Sequence, residues 1–177
     1  MNYAVTPGGE GPRVQDDSYL KKIEAVEFAM KCDDGRGTEL LGEADLIILG
    51  VSRTGKTPLS LHIAWEGYKA ANIPLIPEAD PPAVLRDLDP SRIVGLMMSR
   101  ERLMTIRMER LKLLGLEPSA SAYSSPERVD RELLFASEYM KSLGAAMFDV
   151  TNVAVEETAR MVLEFLRGKE KHKTSKG

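Results

Sequence analysis

The segment best suited to chemistry is "GVSRTGKTPLS", residues 50–60, which follows the apolar run "ADLIILG". Its first eight residues match the pattern G-x-x-x-x-G-K-[ST] in full. Glycines let backbone N–H groups converge on a phosphate, and the helix expected to follow adds its positive N-terminus. The pattern therefore predicts a loop that binds nucleotide phosphates, formed by Gly50, Val51, Ser52, Arg53, Thr54, Gly55, Lys56 and Thr57.

Three side chains of this loop have a specific expected role. Lys56 would reach the β-phosphate and any phosphate in transfer, and the Thr57 hydroxyl would hold a magnesium ion. Arg53 adds a positive charge that a simple nucleotide site does not require. The alternative is an ordinary glycine-containing turn between a strand and a helix, with no ligand.

Further charged residues are weaker candidates. Asp33 and Asp34, in "DDG", could hold a metal or accept a hydroxyl proton, although this triplet is also an ordinary turn. Asp149 follows the apolar run "AAMF" and would either face magnesium-bound water or form a turn. Arg107 and Arg110 are three residues apart in a helical pattern and would either clamp phosphate or lie on a solvated face. The sequence leaves these alternatives open.

Composition limits the kind of protein this is. The 177 residues are 43% hydrophobic and 29% charged, which is typical of one globular domain. A net charge of -3 argues against general binding of nucleic acid. No apolar run approaches the ~20 residues of a membrane span, and the start lacks the apolar core expected of a signal peptide. The single cysteine, Cys32, fits a reducing compartment, so we expect a cytoplasmic protein without a membrane partner.

Helical and strand patterns alternate along the chain. Helices are predicted in 18–35, from Thr57 to about Ala71, after a Ser99 cap, in 126–144 and in 154–168. Strands are predicted in "ADLIILG", "NIPLIP", "RIVGLMM" and "AAMFDV". This alternation predicts an α/β fold with a P-loop-type, mostly parallel sheet and helices on both faces. Residues 1–17 are expected to be a disordered N-terminal segment, 18–168 the domain and 169–177 a lysine-rich solvated tail.

Several segments together carry a family resemblance. They are "YLKKIEAVEFAMKCDDG", "ADLIILGVSRTGKTPLS", "GYKAANIPLIPE", "IVGLMMSRERLMTIRMERL", "YSSPERVDRELLFA" and "FDVTNVAVEETA". In this order and spacing they closely resemble the pyruvate, phosphate dikinase regulatory protein family, which includes the related phosphoenolpyruvate synthase regulatory proteins. The resemblance extends over residues 16–167.

This resemblance implies a pair of activities. Members phosphorylate a threonine or serine of the dikinase with ADP as donor, and remove that phosphate with inorganic phosphate, which releases pyrophosphate. The loop would then bind ADP, and a loop that holds a β-phosphate could also hold phosphate or pyrophosphate. In this interpretation Arg53 and Lys56, with Arg107 and Arg110, would neutralise charge in transfer. Asp33 or Asp34 would orient the target hydroxyl or magnesium.

The chain also departs from the family pattern. Members usually carry a further N-terminal region, and "RVQD" stands where a histidine is usual, so we expect a fragment or an incomplete gene product. "AVEFA" and "FDVTN" favour the dikinase over the synthase as target. A small-molecule kinase of the nucleoside-monophosphate or shikimate type and a non-catalytic nucleotide-binding module are the alternatives. Oligomeric state stays open, a homodimer included.

Overall fold

The fold is a four-stranded parallel sheet surrounded by helices. The computed structural model describes residues 17–118 and 121–174. Every paired strand runs parallel to its neighbour, which confirms the predicted α/β class. The spatial order is β2-β1-β3-β4, where β1 is Leu46–Gly50, β2 is Ala70–Pro74, β3 is Ile93–Met97 and β4 is Ala146–Asp149.

Long helices connect and cover the strands. The starts of two of them are capped by serine, because Ser99 and Ser125 each accept a hydrogen bond at 3.3 Å from the backbone N–H three residues later. In the described part of the chain no helix is both long and apolar enough to cross a lipid bilayer. The α-helices are α1 (Asp17–Lys31), α2 (Lys56–Trp65), α3 (Arg100–Leu113), α4 (Pro126–Ser142) and α5 (Val155–Thr174).

The strand order determines where the helices lie. The chain moves from β1 to β2 in one direction across the sheet and from β3 to β4 in the other. Parallel crossovers are nearly always right-handed, so α2 and the α3–α4 pair lie on opposite faces. In agreement with this, α2 packs against α1 and α5, whereas α3 packs against α4. A crevice therefore opens between the carboxyl ends of β1 and β3, where strand order reverses.

The core is centred on β1. All five of its residues are buried, which explains why this strand is a continuous apolar run rather than an alternating pattern. Ile48 is fully buried, and the side chains of β3 and of the flanking helices complete the same cluster. The interior strands thus fix the position of the loop that begins at Gly50.

One boundary prediction was wrong. The helix after the loop was expected to continue to about Ala71, but α2 ends at Trp65 and residues 70–74 form β2. Gly67 adopts a left-handed conformation, with φ of +90°, and reverses the chain. Ala71 then pairs with Ile47 of β1. The apolar pattern of the sequence could not distinguish this short strand from a continuation of the helix.

The ends of the domain are partly described. Pro74 lies at the end of β2, an edge strand, as its missing N–H favours. The helix α5 continues to Thr174, past residue 168, where the domain was predicted to end. Of the segment predicted to be disordered, residues 1–16 lie outside the described residues, and Asp17 is the first residue of α1.

We predict that Ile48→Ala lowers the free energy of unfolding by about 2 to 5 kcal/mol, because it leaves a cavity in the central strand. Urea unfolding followed by circular dichroism measures this change. The matched control is Ile76→Ala, since Ile76 is 39% exposed and loses much less buried surface. Equal losses for the two variants would contradict the central position of β1.

Candidate functional site

The loop between β1 and α2 has a tightly constrained backbone. Gly55, at the start of α2, has φ of +87°, and Arg53 has φ of +74°. Residues other than glycine rarely adopt this left-handed backbone conformation. A Cβ on Gly50 would lie 2.9 Å from Thr54 Oγ1 and 3.1 Å from the Leu96 carbonyl oxygen. The first glycine of the motif is therefore required for close packing, and the second for its backbone conformation.

Lys56 is the buried cation of the loop. Its side chain is 6% exposed, and its Nζ donates a hydrogen bond to the Val51 carbonyl oxygen at 2.9 Å. Burial lowers the pKa of Lys56 to about 8, although the carboxylates of Asp34 and Asp33 act in the opposite direction. An anion in the loop would offer this ammonium a stronger partner than a carbonyl oxygen.

The "DDG" turn lies beside the helical end of the loop. Asp33 Oδ1 accepts hydrogen bonds from Thr57 Oγ1 at 2.8 Å and from Asn72 Nδ2 at 2.6 Å. Asn72 is fully buried on β2, and its Oδ1 accepts a hydrogen bond from the Asp34 backbone N–H at 3.0 Å. The Asn72 side chain also donates to Ser60 Oγ at 3.2 Å. The edge strand thus fixes both the turn and α2.

Asn72 is a site residue that sequence reasoning missed. The signal was a polar residue inside the otherwise apolar strand "AANIP". A fully buried amide requires hydrogen-bond partners, and here the partners are the acidic turn and α2.

Four of the predicted charged residues, Asp33, Asp34, Arg53 and Lys56, line one polar cavity of about 370 Å³. Val51 and Thr54 are buried residues of the loop that do not line this cavity, and Thr54 Oγ1 donates to the Val51 carbonyl oxygen at 2.9 Å. The structure therefore brings together the acidic turn and the phosphate-loop motif, which are separated in sequence. The cavity is lined by Asp33, Asp34, Ser52, Arg53, Gly55, Lys56, Thr57 and Pro58.

The same cavity has donors suited to magnesium. The Thr57 hydroxyl and Asp33 carboxylate oxygens are 2.8 Å apart, and both residues line the cavity. Mg²⁺ prefers oxygen ligands and is usually held by one or two protein groups together with water and substrate phosphates. The donor set therefore fits Mg²⁺, with Thr57 as a ligand and Asp33 beside it.

Arg107 does not form the phosphate clamp that its spacing from Arg110 suggested. Arg110 is exposed, whereas Arg107 is completely buried beneath the loop. Arg107 Nη2 donates to Glu132 Oε2 at 2.6 Å and to the Ser52 carbonyl oxygen at 3.2 Å. Its Nη1 donates to the Tyr123 carbonyl oxygen at 3.0 Å. The alternative of a solvated face is also wrong for Arg107, because its guanidinium group supports the loop from below.

Tyr123 is a second contact between the loop and the α3–α4 side of the domain. Its ring centroid is 4.5 Å from the guanidinium carbon of Arg107. Its hydroxyl lies 3.2 Å from Ser52 Oγ and accepts a hydrogen bond from Arg53 Nε at 3.3 Å. The left-handed turn at Arg53 is thus held by Tyr123 on the outer side of the loop and by Arg107 beneath it.

Asp149 forms a turn at the end of β4. Its Oδ1 accepts hydrogen bonds from the Thr151 backbone N–H at 2.9 Å and from the Thr151 hydroxyl at 2.5 Å. These two hydrogen bonds lower the pKa of Asp149. The geometry favours the turn-forming alternative for this residue over the metal-facing one.

A second, more apolar cavity of about 430 Å³ lies at the crevice between β1 and β3. It is bounded by Arg53 and Gly55 of the loop, by Leu96 and Met98 at the end of β3, and by the segment 150–155. The loop therefore separates two cavities, one polar and one largely apolar.

The fold and this site define an α/β protein with a candidate phosphate site at the switch point of a parallel sheet. The model of the kinase/pyrophosphorylase family matches residues 5–163 of the chain. The chain belongs to this family.

Similar proteins carry a more specific name. The chain is 50% identical over 154 residues to a protein of Thermoanaerobacter sp. (strain X514), and this match covers 87% of the chain and 57% of that protein. It is 50% identical over 155 residues to one of Carboxydothermus hydrogenoformans, covering 88% and 56%. A protein of Alkaliphilus oremlandii is 46% identical over 165 residues, covering 93% and 59%. All three are named pyruvate, phosphate dikinase regulatory proteins, and the chain spans a little over half of their length.

We predict that Arg107→Met lowers the free energy of unfolding by about 3 kcal/mol, because the buried Glu132 loses one of its two arginine partners and keeps only Arg128. The double variant Arg107→Met/Glu132→Leu should lose less, since no buried carboxylate then lacks a partner and Arg128 keeps its pair with Glu78. Urea unfolding measures both changes, and a double variant no more stable than Arg107→Met would contradict this reason.

The matched control is Arg160→Met, which removes an exposed pair with Glu164 at 3.1 Å. Exposed ion pairs contribute little, so this change should stay within about 0.5 kcal/mol.

Proposed function

We propose that the chain transfers the β-phosphoryl group of ADP to a threonine or serine of pyruvate, phosphate dikinase. In the same site it removes that group with inorganic phosphate. The observation that carries the proposal is the polar cavity in which the buried Lys56, Thr57 and the acidic turn converge. Membership of the kinase/pyrophosphorylase family and the names of the relatives support it.

In the forward reaction the target hydroxyl oxygen attacks the β-phosphorus of ADP. A new P–O bond forms, the bond from that phosphorus to the bridging oxygen breaks, and AMP leaves. Lys56 stabilises the negative charge on the transferring group, and Arg53 at the rim adds to this stabilisation. Magnesium, when bound beside Thr57, would neutralise further phosphate charge.

The two carboxylates would have different tasks. Asp33 Oδ1 already accepts hydrogen bonds from Thr57 and Asn72, so we assign Asp33 to holding Thr57, beside which magnesium would bind. Asp34 is exposed and lines the same cavity, which suits it to accept the proton of the target hydroxyl.

Asp34→Asn should therefore lower kcat while leaving the Kd for ADP almost unchanged. A raised Kd with an unchanged kcat would contradict this assignment.

In the reverse reaction an oxygen of inorganic phosphate attacks the phosphorus of the phosphorylated residue. The P–O bond to the side chain breaks, pyrophosphate forms, and the side-chain oxygen takes up a proton. Both reactions move a phosphoryl group past the same ammonium, so one loop serves both directions.

The dikinase is the proposed target because the relatives are named as its regulatory proteins. The segments "AVEFA" and "FDVTN" favour the same choice over phosphoenolpyruvate synthase. A small-molecule kinase and a nucleotide-binding module without catalysis are the outcomes that the next experiment distinguishes.

The decisive experiment incubates the chain with purified dikinase and either ADP or ATP, then follows threonine and serine phosphorylation by mass spectrometry. We expect transfer from ADP, and release of pyrophosphate when inorganic phosphate is added afterwards. Transfer only from ATP, and only to a small molecule, would overturn the proposal. Binding of ADP without either reaction would identify a nucleotide-binding module.

In this assay we predict that Lys56→Met lowers both rates at least a hundredfold, because each reaction loses the same buried cation. The matched control is Lys112→Met on the exposed face of α3, which should retain both rates. If Lys56→Met kept either activity, the two reactions would not share one loop.

The pKa of Lys56 also predicts a pH dependence. Below about pH 8 the ammonium is charged, and the ADP phosphates are already ionised above pH of about 6. As pH rises through 8, Lys56 loses its proton, so the Kd for ADP should rise, by up to about tenfold per pH unit.

Calorimetric titration between about pH 7 and pH 9.5 measures this rise. Lys56→Arg, whose charge persists throughout, should give a nearly constant Kd. A constant Kd in the unmodified chain would contradict the role of Lys56.

A further inference from the structure

The acidic turn has a strained backbone. Asp34 has φ of +53° and Gly35 has φ of +80°, so both residues are in the left-handed region. Glycine adopts this conformation readily, whereas a residue with a side chain does so at a cost in free energy. A strained conformation of this kind persists only where the surrounding structure holds it in place.

The edge strand β2 holds this turn through Asn72. The Asn72 backbone N–H donates to the Cys32 carbonyl oxygen at 3.0 Å, and its carbonyl oxygen accepts from the Gly35 N–H at 3.0 Å. The side-chain Oδ1 of Asn72 accepts from the Asp34 N–H at 3.0 Å. One residue therefore accepts hydrogen bonds from the backbone N–H groups of both left-handed residues.

The other end of the Asn72 amide is also used within the site. Its Nδ2 donates to Asp33 Oδ1 at 2.6 Å and to Ser60 Oγ at 3.2 Å, and an amide group has only two N–H donors. Ala71 and Ile73, which flank Asn72 on the strand, are buried apolar residues. Asn72 is completely buried as well, so its contacts with the turn and α2 explain why an amide occupies this position.

We propose that Asn72 is a positioning residue for phosphoryl transfer, and that it holds Asp34 in the conformation needed to accept the proton of the target hydroxyl. This inference rests on the proposed function, and it adds a residue through which the fold controls the reaction. Asp34 lines the polar cavity and Asn72 does not, so Asn72 acts through Asp34. Without the Asn72 side chain, Asp34 would be free to relax to an ordinary backbone conformation, which would move its carboxylate.

The expected effect of replacing Asn72 is on the rate of transfer and not on the binding of ADP. Leucine has the branched shape of asparagine but can neither accept a hydrogen bond from the Asp34 N–H nor donate one to Asp33. In Asn72→Leu we expect kcat to fall about tenfold or more for both reactions, because the same carboxylate accepts the proton in one and returns it in the other. The Kd for ADP, measured by titration calorimetry, should change less than about threefold, since Lys56 is unaltered.

The matched control is Ile73→Ala on the same strand. Ile73 is buried, so this change leaves a cavity in the core, but it removes no hydrogen bond to the acidic turn. It should lower the melting temperature measured by circular dichroism and keep kcat within about twofold. Equal losses of kcat in Ile73→Ala and Asn72→Leu, at a temperature where both are folded, would overturn the proposal.

A double-mutant cycle separates positioning from a general loss of structure. If Asn72 acts through Asp34, Asn72→Leu should lower kcat by less than about a further twofold in a chain that already carries Asp34→Asn. Two changes that act independently would instead multiply their losses, and that result would contradict the proposed role of Asn72.

Hydrogen exchange in the unmodified chain tests the contact itself, whether or not the variants fold. Asp34 is exposed, yet the hydrogen bond from its N–H to a buried oxygen should slow exchange at least about tenfold relative to an unstructured peptide. Exchange of this N–H at the rate of an unstructured peptide would show that Asn72 does not hold the turn.

The remaining outcomes distinguish this inference from the proposed function. If the unmodified chain transfers phosphate but Asn72→Leu keeps its kcat, the inference alone is overturned. A raised Kd for ADP with an unchanged kcat would assign Asn72 to holding Asp33 and Thr57 instead of Asp34, and would also overturn it. If the unmodified chain catalyses neither reaction, the proposed function fails, and this inference fails with it.

Discussion

The reversal of strand order between β1 and β3 is the constraint on which the rest of the structure depends. Because the crossovers on either side run in opposite directions, the helices separate to opposite faces and leave a crevice at the carboxyl ends of these two strands. Gly50 ends β1 at this crevice, where the carbonyl oxygen of Leu96 in β3 leaves no room for a larger residue. The position and the shape of the loop thus follow from the topology of the sheet.

Two buried cations, Lys56 in the loop and Arg107 beneath it, have different surroundings. Arg107 donates to Glu132 and to two carbonyl oxygens, although its Nε is buried without a hydrogen-bond partner in the described part of the chain. Lys56 has a carbonyl oxygen as its hydrogen-bond partner, and burial lowers its pKa. Arg107 is therefore mostly satisfied by the protein, whereas Lys56 would gain most from an incoming anion. Arg107 thus stabilises the conformation of the loop, and Lys56 makes the loop suited to bind phosphate.

The sequence predicted the parts of the fold that depend on local pattern. The apolar run before Gly50 indicated β1, and Ser99 indicated the start of α3, because buried parallel strands and capped helices have recognisable signatures. The end of α2 was predicted incorrectly, since Ala70 and Ala71 fit either a helix or a buried strand.

The supporting contacts of the site could not be predicted from the sequence in the same way. The Arg107–Glu132 pair is 25 residues apart, and Tyr123 reaches Ser52 across 71 residues. No local pattern determines which distant groups meet, so the sequence offered only a phosphate clamp or a solvated face for Arg107, and the structure shows neither. The contact of "DDG" with Thr57 likewise depends on Asn72 in the edge strand, which became apparent only from the packing.

The arrangement of the two cavities bears on how one site could serve two reactions. Both proposed reactions act on phosphate groups, so the contacts that they share would be confined to the loop and the acidic turn. Lys56, Thr57 and the acidic turn line the polar cavity and not the apolar one, so both proposed reactions would use one set of charged groups.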